Sequence, residues 1–211
     1  MDLVRIGLVG AGFIAEVHAR ALSYLKDLAE IRGIYSRSIE KTRSFAARHG
    51  IKRVYDSLRD LLRDKEIDAV IIATPSHTHR EIAVEAAAEG KHIFLEKPIA
   101  NSISDAEAII REAEKRGVKL FVGHVLRYWP EYVSAREAVL RGDVGEVSVA
   151  TAYRLSSFPG REWFRYSEYS GGVVVDLAIH DIDFLIWTLG SVSRVFGYGG
   201  RFTRHSFDAI D

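Results

Sequence analysis

The amino-acid sequence predicts a doubly wound α/β domain followed by a shorter α+β segment, and three observations carry that expectation. Short apolar runs rich in branched residues recur between residues 3 and 123, with helical patterns separating them. A Gly-Ala-Gly turn closes the first of those runs. After Gly123 a long stretch alternates apolar and polar residues, the mark of a strand with one covered face.

Residues 3–9 (LVRIGLV) read as the first strand, Gly10-Ala11-Gly12 as a tight turn, and the Ala-rich stretch to Leu28 as a helix. The unit then repeats. A strand over residues 31–36 (IRGIYS) precedes a helix over 39–48, and one over 68–74 (DAVIIAT) precedes a helix over 79–89. HIFLE (92–96) precedes a helix over 105–116, and KLFVG (119–123) closes the series. Strands this apolar need cover on both faces, which alternating helices give to a parallel sheet. Beyond it the sequence reads as a helix over 130–140, the turn RGDVGE, a strand over 147–156 (VSVATAYRLS), an aromatic loop (FPGREWFRYSEYSGG), a helix over 173–189 and a last strand pattern, SRVFGYGGRFTRH. The expected division is residues 1–122 for the doubly wound half and 123–211 for a second half built on an open, mostly antiparallel sheet.

With 211 residues, 47% hydrophobic and 27% charged, and a net charge of zero, the chain has the composition of a globular protein. Lys and Arg are spread along both halves without a basic block, so neither nucleic acid nor an acidic membrane is an expected partner. The absence of cysteine excludes disulfides, thiolate metal sites and a Cys nucleophile. The first apolar run is too short to span a bilayer and no cleavable signal pattern follows it, so a cytoplasmic location is expected. Asn101 is the sole asparagine, there is no glutamine, and there is one methionine, a scarcity of thermolabile residues that resembles proteins from hot environments.

GAGFIA (Gly10 to Ala15) fits the pattern G-x-G-x-x-G/A. Its first Gly permits the turn, its second lets a pyrophosphate approach the backbone, and its third small residue allows close helix packing. The free N–H groups that begin the following helix face the anion. The motif opens a helix after the first strand of an alternating pattern, which makes Gly10, Gly12, Phe13 and Ile14 candidate dinucleotide contacts. Which dinucleotide is decided at the end of the second strand, where a carboxylate would bind the ribose 2′-hydroxyl of NAD. The sequence there is YSRSIEK, with Ser36 and Arg37 in place of an acid and Lys41 one turn into the helix. A hydroxyl and a guanidinium suit a 2′-phosphate, so NADP is preferred with NAD as the alternative. Arg37 and Lys41 also fit a plain solvated helix start.

The stretches GAGFIAEVHARAL, IIATPSHTHREIAVEAAAEGKHIFLEKPIA, VGHVLRYWP, GDVGEV and GGVVVDLAIHDID resemble the Gfo/Idh/MocA family of NAD(P)-dependent oxidoreductases, named for glucose-fructose oxidoreductase, inositol dehydrogenase and rhizopine catabolism protein. They occur in family order over most of the chain, and EKP (Glu96 to Pro98) with the D-x-x-x-H of Asp176 and His180 is the specific combination. The resemblance implies a Rossmann domain, a second domain with an open, mostly antiparallel sheet, and an active site between them. It implies that Lys97 and His180 are the acid/base groups, with Asp176 assisting His180. It implies that Thr74, Pro75 and His79 line the nicotinamide side of the groove, that Glu96 flanks it, that Arg127 lies near the substrate pocket, and that Lys97 and Arg127 are among the cofactor contacts. Trp129 fills the variable slot of the family's R-[FY]-x-P pattern. Family members run longer, so the chain reads as a form shortened at its C-terminus, with homo-oligomer contacts through the sheet covering an incomplete edge.

The chemistry expected of these residues is hydride transfer between nicotinamide and the hydroxyl or carbonyl carbon of a sugar, polyol or related compound. His180 suits the proton transfer because its unperturbed pKa, about 6.5, keeps both forms accessible near neutrality. On one α-helix, residues 176 and 180 lie about 6 Å apart along the axis on one face. Lys97, after the strand HIFLE, can donate a hydrogen bond to the reacting oxygen. Other readings stand beside these. Lys97 fits a surface lysine before a loop-starting Pro98. Asp176 and His180 also fit a helix cap region with a core-facing His. His180, Asp181 and Asp183 could in principle ligate a metal, but no second cluster with ligand spacing accompanies them and no metal is expected. Trp163, Phe164, Tyr166 and Tyr169, with Arg161 and Arg165, either line a sugar pocket or cover the sheet. His18 reads as packing near the cofactor loop, and His49, His92 and His205 as structural or solvated. Two further functions remain open: a dinucleotide-binding sensor without turnover, and a reductase of an unsaturated or tetrapyrrole-like substrate.

Overall fold

The computed structural model describes residues 3–157, 160 and 162–200. The chain divides into two compact units, Met1–Gly123 and His124–Asp211. No helix among the described residues is long and apolar enough to cross a membrane.

The first unit holds six strands: β1 (Val4–Val9), β2 (Ala29–Tyr35), β3 (Arg53–Val54), β4 (Ala69–Ile72), β5 (His92–Leu95) and β6 (Leu120–Val122). They form one sheet in the order β3-β2-β1-β4-β5-β6. Every pair is parallel. Between them run α1 (Phe13–Ser23), α2 (Ile39–His49), α3 (Leu58–Arg63), α4 (His79–Ala88) and α5 (Ile103–Arg116). Period-two alternation splits the core into two layers. Val9, Val70 and Ile72 pack on one face with Leu61, Ile82 and Ile109, whereas Leu8 and Ile71 pack on the other with Ala15, Ala19 and Phe45. The strand order reverses between β1 and β4, and an open α/β sheet binds ligands at the carboxyl ends of its strands at such a point.

Two elements here escape the alternation of long apolar runs. β3 has two residues, and α3 has six with only Leu61 and Leu62 buried. The local signal of α3 is a cap. The Ser57 hydroxyl accepts from the Asp60 N–H and donates to its carboxylate, as Ser102 does with Asp105 at α5. α1 stops at Ser23, short of Leu28, because Tyr24 and Leu25 donate to carbonyls in a tightening last turn.

The second unit contains α6 (Pro130–Arg141), the short α7 (Ser167–Ser170) and α8 (Ile179–Leu189), with a π-helical segment over Val174–Ala178 leading into α8. The open, mostly antiparallel sheet expected of this half is not found: the sheet of the described residues is all parallel and lies in the first unit. A strand needs a neighbour to receive its backbone hydrogen bonds, and residues 147–156 have none among the described residues. Val149, Tyr153 and Leu155, whose alternation suggested a covered face, are exposed. Of the last strand pattern, residues 193–200 form no strand and 201–205 lie outside the described residues.

Candidate active site

The first unit gathers its chemistry at one edge of the sheet. Because β2, β1, β4 and β5 are adjacent and parallel, the segments that follow them share that edge: Ser36-Arg37, Gly10-Ala11-Gly12, Thr74-Pro75 and Glu96-Lys97. Gly10 must be glycine. Its φ is +114°, and a Cβ there would lie 2.4 Å from the Ala73 carbonyl oxygen. Its N–H donates to the Tyr35 carbonyl at 2.8 Å, which ties the turn to the end of β2. Gly12 is the N-cap of α1 and makes no side-chain cap, so the first N–H groups of the helix have no side-chain partner there. A Cβ at Gly12 would meet nothing within 4 Å. That open space before a helix N-terminus fits a pyrophosphate, while Ala15, fully buried, lets α1 pack tightly on the sheet. Phe13 is exposed at the mouth of the turn and Ile14 half-buried.

At the end of β2 the Ser36 hydroxyl bonds Thr42 Oγ1 at 2.5 Å and the Ser38 carbonyl at 3.3 Å, so its role is to shape the start of α2. Arg37 and Lys41 are exposed. Lys41 joins Ala11, Glu40, Ser44 and Arg48 around an open depression of about 340 Å³ beside the glycine turn. Arg48 donates to Ser44 and to Glu16. His49, with Arg48 and Arg20, pulls the Glu16 carboxyl down to about 2 and so ties α1 to α2.

Thr74 and Pro75 follow β4, with the Thr74 hydroxyl bonded to that of Thr78 at 2.7 Å. His79 has no exposed surface. Its Nδ1 lies 2.8 Å from the Pro98 carbonyl oxygen and its Nε2 3.0 Å from that of Thr74. Its ring therefore staples the two loops together and does not face an open groove. Both partners are acceptors, so a neutral ring can donate to only one, and burial pushes its pKa below the ordinary value. Glu96 accepts the Lys97 N–H on one oxygen, and its other oxygen lies 2.7 Å from His18 Nε2. The Lys97–Pro98 peptide is cis. His18 is the residue that sequence reasoning undervalued. Its position in α1, eight residues after Gly10, is legible, but its partner 78 residues further on is not.

The second unit carries the remaining candidates. Asp176 lies in the π-helical segment and His180 in the first turn of α8, both half-buried. The single α-helix expected over 173–189 is thus replaced by two helix types, and i→i+5 bonding around Asp176 changes the spacing that a pure α-helix would impose. Gly171 precedes it with φ +75°, and a Cβ there would sit 2.6 Å from that of Val175. The two carboxylates after His180 are committed to arginines: Arg154 forks onto Asp181 at 2.5 and 2.7 Å, and Arg127 onto Asp183 at 2.8 and 2.6 Å. Arg127, expected among cofactor and substrate contacts, therefore spends its fork on α8, with the Trp187 ring 5.8 Å from its guanidinium carbon. Trp163 and Phe164 stack at 3.8 Å, Tyr166 meets Tyr169 edge-on at 5.8 Å, and Arg165 is exposed. Arg161 and His205 lie outside the described residues. No group of three His, Asp or Glu able to hold a metal occurs among the described residues.

Residues 4–124 match an oxidoreductase family with an NAD-binding Rossmann fold, and residues 132–211 match the GFO/IDH/MocA C-terminal domain. The chain belongs to the Gfo/Idh/MocA oxidoreductase family. It is 31% identical over 197 residues to a myo-inositol 2-dehydrogenase of Thermotoga maritima, an alignment covering 93% of this chain and 58% of that protein. Among solved structures, the WlbA dehydrogenase of Bordetella pertussis, in complex with NADH and UDP-GlcNAcA, aligns with a TM-score of 0.90 at 29% identity over 100% of this chain and 65% of its own. A putative NADPH-dependent oxidoreductase of Desulfitobacterium hafniense aligns with a TM-score of 0.86 at 27% identity, over 100% and 61%. The chain spans a little under three fifths of the length of the inositol dehydrogenase it matches.

Proposed function

We propose that this Gfo/Idh/MocA chain is an NADP-preferring oxidoreductase that moves hydride between nicotinamide and a hydroxyl or carbonyl carbon of a sugar, polyol or related compound. The observation that carries the reading is the open cradle at Gly12, before an uncapped helix and at the reversal point of the sheet, with Lys97 following the strand next but one. The named activities of the similar proteins support it. A bound nicotinamide dinucleotide supplies the hydride acceptor or donor. Gly10, Gly12, Phe13 and Ile14 would hold its pyrophosphate, with Thr74 and Pro75 beside the nicotinamide half.

Similar structures carry NADH in one case and an NADPH-dependent description in another. The residues after β2 favour the phosphorylated form. No acid stands at Ser36 or Arg37 to bind a free 2′-hydroxyl, whereas the exposed Arg37 and Lys41 offer two cations to a phosphate. A charge-assisted hydrogen bond contributes about 1.5–3 kcal/mol, so Arg37→Ala should weaken NADPH binding about ten- to hundredfold and leave NADH binding unchanged.

In the proposed chemistry His180 takes the hydroxyl proton or returns it, Asp176 orients the imidazole, and the Lys97 ammonium stabilises charge on the reacting oxygen. The roles require Lys97 and His180 to reach one substrate. Trp163, Arg165 and Tyr166 are the proposed substrate wall, and a second copy of the chain the proposed partner. Turnover of NADP⁺ and NADPH with a panel of cyclic polyols, aldoses and their keto forms tests this. Lys97→Ala and His180→Ala should each lower turnover by about 10²- to 10⁴-fold with NADPH affinity retained. Parent-level turnover in His180→Ala contradicts the assignment, and NADPH binding with no turnover on any member of the panel favours a sensor.

A further inference from the structure

We propose that His18 is a positioning residue for Lys97: its imidazole fixes the Glu96 carboxylate, whose second oxygen holds the Lys97 backbone N–H. The inference rests on the reading that Lys97 works at the reacting oxygen, and it concerns what keeps that lysine in place. His18 Nε2 lies 2.7 Å from Glu96 Oε1, and the Lys97 N–H donates to Glu96 Oε2 at 3.2 Å. A carboxylate can only accept, so the proton of the first contact sits on His18 Nε2.

Three features make this a built relay. The His18 and Glu96 side chains are only 17% and 16% exposed, which shields the contact from the water that weakens surface pairs. The His18 ring stands edge-on to Phe94 at 5.0 Å, and Phe94 rests in turn on Phe121, so the imidazole is braced from beneath. Gly123 closes the other side, where a Cβ would come 3.4 Å from Glu96 Oε1.

The relay also has a topological consequence. His18 sits in α1, the helix that begins at the Gly12 cradle, whereas Lys97 follows β5, two strands away in the sheet. Glu96 is the point where the two segments are joined by side chains, since its backbone N–H is already spent on the Ile72 carbonyl. On the far side, His79 holds the Pro98 carbonyl. The loop bearing Lys97 is therefore gripped from α1 through Glu96 and from α4 through Pro98. Glu96 becomes a joint between the helix that would receive pyrophosphate and the lysine that would meet substrate, and His18 fixes the angle of that joint.

The test compares His18→Leu, which removes the donor, with His18→Gln, whose amide N–H can reach the same carboxylate, in the full chain. Backbone amide exchange at Lys97, read by NMR, should quicken about tenfold in His18→Leu and stay near the parent in His18→Gln. Turnover then gives a double-mutant cycle with Lys97→Ala. His18→Leu should lower turnover at least tenfold in the parent and cause no further loss in the Lys97→Ala background. Unchanged exchange at Lys97 in His18→Leu overturns the proposal, as does an equal loss in both backgrounds. If exchange responds as stated while Lys97→Ala turns over at the parent rate, the positioning link stands and the role given to Lys97 fails. Should His18→Leu not fold, His18→Asn, too short to reach Glu96, replaces it in both measurements.

Discussion

Leu8 in the first unit and Leu155 in the second are the same side chain within a strand-like stretch, yet Leu8 is fully buried and Leu155 is 94% exposed. The contrast extends to the units around them. Every strand of the first is closed by a parallel neighbour and covered by helices, which produces two continuous core layers. In the second, neither α6 nor α8 has a fully buried residue. Their contacts are lateral instead, with the Arg136 guanidinium over the Trp187 ring at 4.4 Å and Tyr132 edge-on to Phe184 at 4.9 Å. The lesson is that an apolar pattern states what a segment can bury, while burial itself depends on a neighbour that completes the ladder and the layer.

The largest effect that can break this contrast comes from a matched pair of substitutions. Leu8→Ala should cost about 2–5 kcal/mol in chemical denaturation, as expected for a filled core. Leu155→Ala should stay within about 0.5 kcal/mol. A comparable loss at Leu155 would mean that a partner or a second copy covers it in solution.

A smaller effect sharpens the picture of how the first unit is held at the opposite edge of its sheet. Arg5 forks onto Asp68, joining β1 to the start of β4, and holds that carboxyl at about 2, below its ordinary 3.8. The unfolded chain takes up this proton at higher pH than the folded one. The stabilisation is therefore complete above pH 3.8 and is lost as pH falls through about 2. Thermal melts should show Asp68→Asn less stable than the parent at neutral pH, with the two converging toward pH 2. A difference that stays constant across that range contradicts the assignment.

Legibility in the sequence follows the same divide. The strands β1, β2, β4, β5 and β6 announce themselves as short runs rich in branched apolar residues between helical patterns, and Gly10 because a positive φ and a close carbonyl leave no other residue possible. β3 and α3 escape because two residues and one turn and a half carry too little periodicity to register. The stretch 147–156 reads as a strand because alternation is a property of the segment, whereas pairing is a property of two. At the site, residue types were legible and their partners were not. Nothing local foretells that His18 reaches Glu96, that Arg127 turns to Asp183, or that His79 is walled in between two carbonyls. The π-helical segment at Asp176 is likewise hidden, since a one-residue change of helical register leaves the apolar face nearly intact.

The central claim, that the turn at Gly10 to Ala15 holds a dinucleotide, is tested most directly by NADPH titration of the parent chain and of Gly12→Val. The φ of Gly12 is −93° and a Cβ there meets nothing, so the valine variant should fold with parent stability while occupying the pyrophosphate space. The account predicts saturable NADPH binding by the parent and a loss of about a hundredfold or more in the variant, the equivalent of displacing a few charge-assisted hydrogen bonds. Equal affinity in the two proteins would contradict it.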